Sequence, residues 1–125
     1  MKYTDGVIMD RNRIVNSMTL LQQRESDRMR VREEIRVETR AKLKMALSDI
    51  LPGAKVLVFG SLTQSGKFNA NSDVDIALFE EPITMTLWGI MAELMERLGR
   101  PVDVLVLSQC RFRDRLLKEG EIWIG

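Results

Sequence analysis

The chain has 125 residues, of which 45% are hydrophobic and 30% are charged, and its formal net charge is +1. These values are typical of a globular domain of ordinary size, and the charge gives no bulk argument for nucleic-acid binding. The lack of histidine argues against a zinc site. A single cysteine cannot form an internal disulfide, and no apolar stretch approaches the ~20 residues of a membrane-spanning helix. We therefore expect a cytoplasmic protein.

The first predicted element is a single long helix, roughly from Asp10 to Asp49. Neither proline nor glycine occurs between Gly6 and Pro52-Gly53, where the helical pattern ends. At ~1.5 Å per residue such a helix would be ~60 Å long, which exceeds the width of a small domain.

Apolar residues on this helix form two groups at helical spacing, separated by a polar segment over residues 22–30. We expect the group near residues 31–50 to pack on the rest of the domain. The group formed by Ile14, Met18 and Leu21 is expected to project and to pair with a second copy of the chain, which gives a homodimer. The alternative is a break near Ser26-Asp27, with two helices that fold back on each other.

Beyond residue 50, short β-rich runs alternate with helical patterns. The predicted strands cover residues 55–59, 74–80, 102–107 and 121–124, and the predicted helices cover residues 84–98, begun by Pro82, and 111–118. This alternation predicts an α+β domain, a sheet with helices packed on it, and the long N-terminal helix precedes it. We therefore expect a helical extension over residues 1–50 and a core domain over residues 51–125.

Three aspartates stand at the ends of the predicted strands. Asp73 and Asp75 are two residues apart and therefore share one face of a strand, and Asp103 lies between two apolar residues of another strand. If these strands are neighbours, the three carboxylates converge, and Mg²⁺ would neutralise their repulsion as part of a phosphoryl-transfer site. Taken singly, each aspartate also fits a turn cap, a solvated strand position or an exposed edge.

Gly60-Ser61 ends the first predicted strand. Glycine lets the backbone approach a phosphate closely, and the serine hydroxyl and following amides can donate hydrogen bonds to it. The alternative is an ordinary turn with serine as an N-cap. Lys67, in the following loop, is either a point charge for a β- or γ-phosphate or a solvated lysine.

The order Gly60-Ser61, Ser72-Asp73-Val74-Asp75 and Asp103 resembles the polymerase-β-type nucleotidyltransferase superfamily. Within it, the chain looks like the minimal nucleotidyltransferases, small proteins that are often paired with a helical toxin. The resemblance covers about residues 56–124, and the long N-terminal helix lies outside the common core. It implies a small mixed β-sheet with helices packed on it.

The resemblance also implies roles for individual residues. Gly60 and Ser61 would hold the triphosphate of ATP or another nucleoside triphosphate. Asp73 and Asp75 would bind two Mg²⁺ ions. Asp103 would bind the second ion and help to remove the proton from the acceptor hydroxyl, which attacks the α-phosphate and expels pyrophosphate.

Two features depart from the family pattern. Eleven residues separate Ser61 from Asp73, one more than is usual. An arginine often follows the Gly-Ser pair, and Leu62-Thr63-Gln64 stands there instead. We therefore expect weak affinity for triphosphate.

Larger relatives carry a second domain that presents the acceptor, and this chain ends soon after its last predicted strand. We therefore expect transfer of a nucleoside monophosphate, AMP from ATP, to a hydroxyl of a partner protein, with a HEPN-like toxin as the acceptor in a toxin–antitoxin pair. The main alternative is an antitoxin-like binding module that acts by contact and has a weak or vestigial nucleotide site. A third hypothesis is modification of a small molecule such as an antibiotic.

Overall fold

The computed structural model describes residues 2–125, and of residues 2–18 it describes only the helical backbone. The helices and strands follow the order α1 (Lys2–Ile50), β1 (Lys55–Phe59), β2 (Val74–Leu78), α2 (Leu87–Leu98), β3 (Val102–Val106), α3 (Arg113–Glu119) and β4 (Glu121–Ile124). Short 3-10 helices at Gly60–Thr63 and Leu107–Gln109 follow β1 and β3. The fold is α+β, as predicted. None of the helices in the described residues combines the length and the apolar character that crossing a bilayer requires.

Helix α1 passes through Ser26 and Asp27 without interruption, so the alternative of a break there is wrong. The chain forms two compact units, Met1–Val31 and Arg32–Gly125, and the second contains the last part of α1 together with the sheet. The division at residue 50 stays a prediction. Projection of the N-terminal apolar group also stays a prediction, and the side chains of Ile14 and Met18 lie outside the described residues.

The four strands form one mixed sheet in the order β3-β2-β1-β4. Strand β1 runs antiparallel to both β2 and β4, whereas β2 and β3 are parallel. Parallel neighbours need a crossover connection, and α2 lies in the segment that joins them. The carboxylates that precede or begin β2 and β3 are therefore at the same end of the sheet.

Each face of the sheet has its own apolar cluster. One face packs against the end of α1 and against α2. Its fully buried members include Leu43, Leu47, Val56, Val58, Val74, Ile76, Ile90 and Leu94. The other face carries Leu57 and Ala77, which pack with Leu107 and with Leu116 and Leu117 of α3. Because side chains alternate along a strand, Asp75 shares this second face with Ala77.

Helix α2 begins later than predicted. The side chain of Thr86 accepts a hydrogen bond from the backbone N–H of Gly89 at 3.0 Å and caps the helix at Leu87. Pro82 therefore lies in the preceding loop and does not begin the helix. The predicted end is confirmed, because Gly99 adopts the left-handed conformation with φ 68° and closes the last turn.

Candidate active site

Two of the three predicted aspartates lie side by side. In the parallel pairing of β2 with β3, Asp75 is the register partner of Asp103. Asp75 is half-buried and Asp103 is exposed. Asp73 is exposed and stands directly before the first residue of β2, so it approaches from the same end of the sheet.

The electrostatics of Asp75 reflect this arrangement. Burial, then the negative charge of Asp103, then that of Asp73 raise the pKa of the Asp75 carboxyl from 3.8 to about 6. Burial disfavours the ionised form, and neighbouring carboxylates disfavour it further. The site therefore concentrates negative charge that a bound cation would relieve.

The donor chemistry of this site fits a divalent cation, because all three side chains offer hard carboxylate oxygens of the kind that Mg²⁺ prefers. As the side chains stand, however, no group of three or more Asp, Glu, Cys or His residues in the described part of the chain is placed so that it could hold a metal ion. The roles of Asp73, Asp75 and Asp103 as metal ligands stay a prediction.

Gly60 lies against the acidic pair. Phe59, the residue before it, is the register partner of Asp75 across β1 and β2. Gly60 has φ +77°, and a Cβ added there would overlap Oδ2 of Asp75. Only glycine satisfies both the positive φ and this close approach. The backbone turn and the Asp75 carboxylate are thereby brought into contact.

A single 3-10 turn, Gly60–Thr63, contains the predicted phosphate-binding pair Gly60-Ser61. The Thr63 hydroxyl donates to the Gly60 carbonyl at 2.8 Å, and the Gln64 backbone N–H donates to the Ser61 carbonyl at 3.0 Å. Ser61 is half-buried. The turn thus has a defined shape, and binding of phosphate by Ser61 stays a prediction.

Arginines of α1 hold the next residue of this turn. Arg36 Nε donates to the Leu62 carbonyl at 2.9 Å, and Arg40 Nη1 donates to the same oxygen at 3.3 Å. Arg36 also pairs with Glu33 at 2.8 Å, and its side chain is only 15% exposed. Hydrogen bonds from charged groups to a partly buried carbonyl are stronger than neutral ones, so α1 fixes the turn that carries Gly60.

The same arginine, Arg40, ties α1 to the edge strand β4. Its Nη1 lies 2.7 Å from Glu121 Oε2, and its guanidinium stands over the Trp123 ring at 5.1 Å from the centroid. The hydrogen bond from Arg40 is the main cause that lowers the pKa of Glu121. A further contact joins Arg32 Nη1 to the Gly66 carbonyl at 3.3 Å.

Arg100 braces the loop before Asp73. Its Nη1 donates to the carbonyls of Asn69 and Ser72 at 3.1 and 3.0 Å, and its guanidinium lies over the Phe68 ring at 4.6 Å from the centroid. Burial lowers the pKa of Arg100, and its Nε is buried without a hydrogen-bond partner. Arg100 therefore fixes the backbone of the loop directly before Asp73.

Lys67 stands apart from these contacts. It is exposed in the turn that its backbone N–H closes on the Gln64 carbonyl at 3.3 Å. Its ammonium makes no hydrogen bond or ion pair among the residues that the structure describes. The structure does not bring it together with the aspartates, and its role toward phosphate stays a prediction.

The sequence indicated no role at this site for Arg36, Arg40 or Arg100. Each acts on a backbone carbonyl more than twenty residues away, and such partners leave no periodic pattern in a sequence. The i,i+4 spacing of Arg36 and Arg40 was available as a signal that both lie on one face of α1, but it does not say what that face contacts.

Known proteins share this architecture. The family model of the polymerase beta nucleotidyltransferase domain matches residues 41–124, more than half of the chain. The search of curated proteins found no match to this chain.

Among solved structures, a toxin–antitoxin complex with AMP-PNP contains a chain that is 26% identical, with a TM-score of 0.53 over 66% of this chain and 71% of that one. A mutant MntA–HpeT toxin–antitoxin complex contains one that is 23% identical, with a TM-score of 0.52 over 69% of this chain and 72% of that one, and this second likeness concerns the fold alone. With the family match over residues 41–124, the chain belongs to the polymerase beta nucleotidyltransferase family and is a nucleotidyltransferase.

Proposed function

We propose that the chain transfers AMP from ATP to a hydroxyl of a partner protein, and that the partner is a HEPN-like toxin in a toxin–antitoxin pair. The observation that carries the proposal is the strand register that sets Asp75 beside Asp103, next to Gly60. The similar chain solved within a toxin–antitoxin complex with AMP-PNP supports both the adenine nucleotide and the protein partner.

In this proposal the Gly60-Ser61 turn receives the triphosphate. Gly60 has no side chain, so the backbone of the turn can approach a phosphate closely. Arg36 and Arg40 hold the turn in place through the Leu62 carbonyl. A turn fixed before the ligand arrives loses little entropy on binding, which favours affinity.

Asp73, Asp75 and Asp103 would hold Mg²⁺, which, when bound, supplies positive charge at the attacking and leaving oxygens. Asp103 is the exposed member of the register pair and accepts the proton of the acceptor hydroxyl. The hydroxyl oxygen forms a bond to the α-phosphorus, the bond from that phosphorus to the bridging oxygen breaks, and pyrophosphate leaves. Because the chain has no histidine, the base is a carboxylate, a lysine or a tyrosine, and Asp103 is the exposed carboxylate at this end of the sheet.

The proposal is tested by incubating the protein with ATP labelled in the α-phosphate, Mg²⁺ and a candidate HEPN-like partner. We expect label on the partner with wild-type protein and none with Asp75→Asn or Asp103→Asn. Asp114→Asn, which changes an exposed aspartate in α3, is the matched control and should label normally. Equal labelling by the Asp75→Asn and wild-type proteins would contradict the proposal.

A second candidate is an antitoxin that neutralises its partner by contact alone. Two observations favour it: no three-acid metal cluster is formed among the described residues, and Leu62-Thr63-Gln64 replaces the usual arginine after Gly-Ser. The test is neutralisation in cells by a double Asp73→Asn, Asp75→Asn variant. Full protection of the cells by this variant favours contact, and loss of protection favours transfer.

A further inference from the structure

A small pocket adjoins the turn that carries Gly60. It has a volume of about 210 Å³ and lies between that turn and α3. Its walls include Phe59, Gly60, Gln64, Phe112 and Leu116. We call it the α3 pocket. Gly60 lines this pocket and also lies against the carboxylate of Asp75, so the pocket is adjacent to the turn that is predicted to receive the phosphates.

Phe112 is the feature of this pocket that the fold does not explain. Helix α3 packs on the sheet through Leu116 and Leu117, whereas the Phe112 side chain, at the N-cap of α3, is 63% exposed. An exposed aromatic ring has an apolar face available to a flat partner. Stacking of nucleobases on aromatic side chains is the common way in which proteins hold a base without reading its identity.

Polar groups at the rim suit a nucleotide more than an apolar ligand. Gln64 is exposed, and its side-chain amide can both donate and accept at the edge of a base. Its backbone position is fixed by the hydrogen bond to the Ser61 carbonyl at 3.0 Å. Arg115 also lines the pocket and pairs with Glu119 at 3.4 Å.

The size of the pocket limits what enters it. Pockets that enclose a whole small ligand have volumes of about 300–1,000 Å³. The α3 pocket, at about 210 Å³, therefore holds one part of a nucleotide and leaves the rest outside. The phosphates have their own predicted place at Gly60-Ser61, which leaves the base and the ribose, and of these two the flat base is the part that an aromatic ring can stack on.

We propose that the α3 pocket is the nucleobase subsite of this nucleotidyltransferase, with Phe112 stacked on the base and Gln64 at its edge. This inference rests on the proposed function and adds to it the means by which the nucleoside is held.

Calorimetric titration of the full chain with two probes in the presence of Mg²⁺ tests the inference. ATP reports on base and phosphates together, and inorganic tripolyphosphate reports on the phosphate turn alone. We expect Phe112→Ala to weaken ATP binding by roughly tenfold to a hundredfold, as loss of one stacked base does elsewhere, and to leave tripolyphosphate binding unchanged. Phe112→Trp should retain ATP binding.

Trp88→Ala is the matched control, because Trp88 is an aromatic residue that is 78% exposed and is not among the residues that line the α3 pocket. It should bind both probes as the wild type does. ATP binding by Phe112→Ala at wild-type strength would overturn the subsite while leaving the proposed function intact. If Phe112→Ala weakens the binding of ATP and of tripolyphosphate equally, Phe112 maintains the shape of the turn, and the base subsite is again refuted.

Two further outcomes separate this inference from the proposed function. If wild-type protein binds no ATP, both are wrong. If Phe112→Ala binds ATP normally but no longer labels the partner, the ring contacts the acceptor and the base subsite is refuted.

Discussion

At the scale of single residues, the tightest constraint in the site is the contact between Gly60 and Asp75. It joins the turn to the acidic strand end, and no other residue type fits the backbone and the space together. The same contact makes the turn sensitive to substitutions that add a single methyl group.

We predict that Gly60→Ala destabilises the protein by about 2–4 kcal/mol, because positive φ alone costs about 1–2 kcal/mol and displacement of the Asp75 carboxylate adds to it. Gly53→Ala is the matched control: Gly53 has φ +74°, but nothing lies within 4 Å of an added Cβ. Urea unfolding of the two variants measures the difference. Equal destabilisation would show that the contact with Asp75 is not a constraint.

The raised pKa of Asp75 predicts how stability depends on pH in metal-free protein. The folded state binds a proton at Asp75 more tightly than the unfolded state does, so stability is full below pH 3.8 and falls as pH rises through about 6. Because the side chain is partly exposed, solvent screening reduces the effect to about 1 kcal/mol at neutral pH. Asp75→Asn should therefore be more stable than wild type at pH 7, and by less at pH 4.

Thermal unfolding without divalent ions at both pH values measures this prediction, and Asp114→Asn, at an exposed position in α3, provides the reference. A difference of 1 kcal/mol corresponds to a shift of a few degrees in Tm for a chain of this size. If Asp75→Asn has the same Tm as wild type at pH 7, the account of the acidic cluster is wrong.

At the scale of elements, helix α1 does more than cover the sheet. Arg36 and Arg40 converge on the Leu62 carbonyl, so the helix sets the position of the Gly60–Thr63 turn. A helix that precedes the sheet in sequence therefore takes part in shaping the candidate site.

We predict that Arg36→Met lowers stability by about 1–3 kcal/mol and also weakens ATP binding, because Glu33 loses its charged partner and the Leu62 carbonyl keeps only the longer hydrogen bond from Arg40. Arg97→Met is the control. Its pair with Asp49 is exposed on the surface, with 41% and 68% of the side chains accessible, and should be worth less than ~1 kcal/mol. Urea unfolding measures the stability of both variants, and titration with ATP measures their affinity. Together they show whether Arg36 positions the turn or only packs against it. Loss of stability in Arg36→Met without loss of affinity would reject the positioning role.

Sequence patterns predicted the elements because each depends on local signals. Apolar runs define β1, β3 and β4, and the uninterrupted stretch before Pro52-Gly53 defines α1. The start of α2 was misplaced because the capping hydroxyl of Thr86 decides it, whereas Pro82 was the more conspicuous residue.

Sequence patterns also predicted part of the site. Alternation along strands placed Asp75 and Asp103 on one face, as the register shows. Two other features could not be predicted, because they depend on how distant elements pack. They are the contacts of three arginines with backbone carbonyls, those of Arg36, Arg40 and Arg100, and the α3 pocket.

At the scale of the whole molecule, α1 raises the question of self-association. Within residues 19–31, Leu20, Leu21, Met29 and Val31 are 43–63% exposed. Apolar side chains exposed along a helix favour a helical partner, and we propose a second copy of this chain.

Light scattering at micromolar concentration tests this. We predict a mass near twice the 14.4 kDa of one chain, and a fall to the monomer mass in a double Leu20→Lys, Leu21→Lys variant. The adjacent pair Gln22→Lys, Gln23→Lys adds the same charge at polar exposed positions and should remain dimeric. A monomeric wild-type chain would rule out the dimer.

The claim on which the rest depends is that the end of the sheet where Asp75 meets Asp103 binds a nucleotide together with a divalent metal. Calorimetric titration of the wild-type chain with ATP, with and without Mg²⁺, tests it most directly, alongside Asp103→Asn. The account predicts binding that requires Mg²⁺ and is lost in Asp103→Asn. ATP binding of equal strength without Mg²⁺, or unchanged in Asp103→Asn, would contradict it.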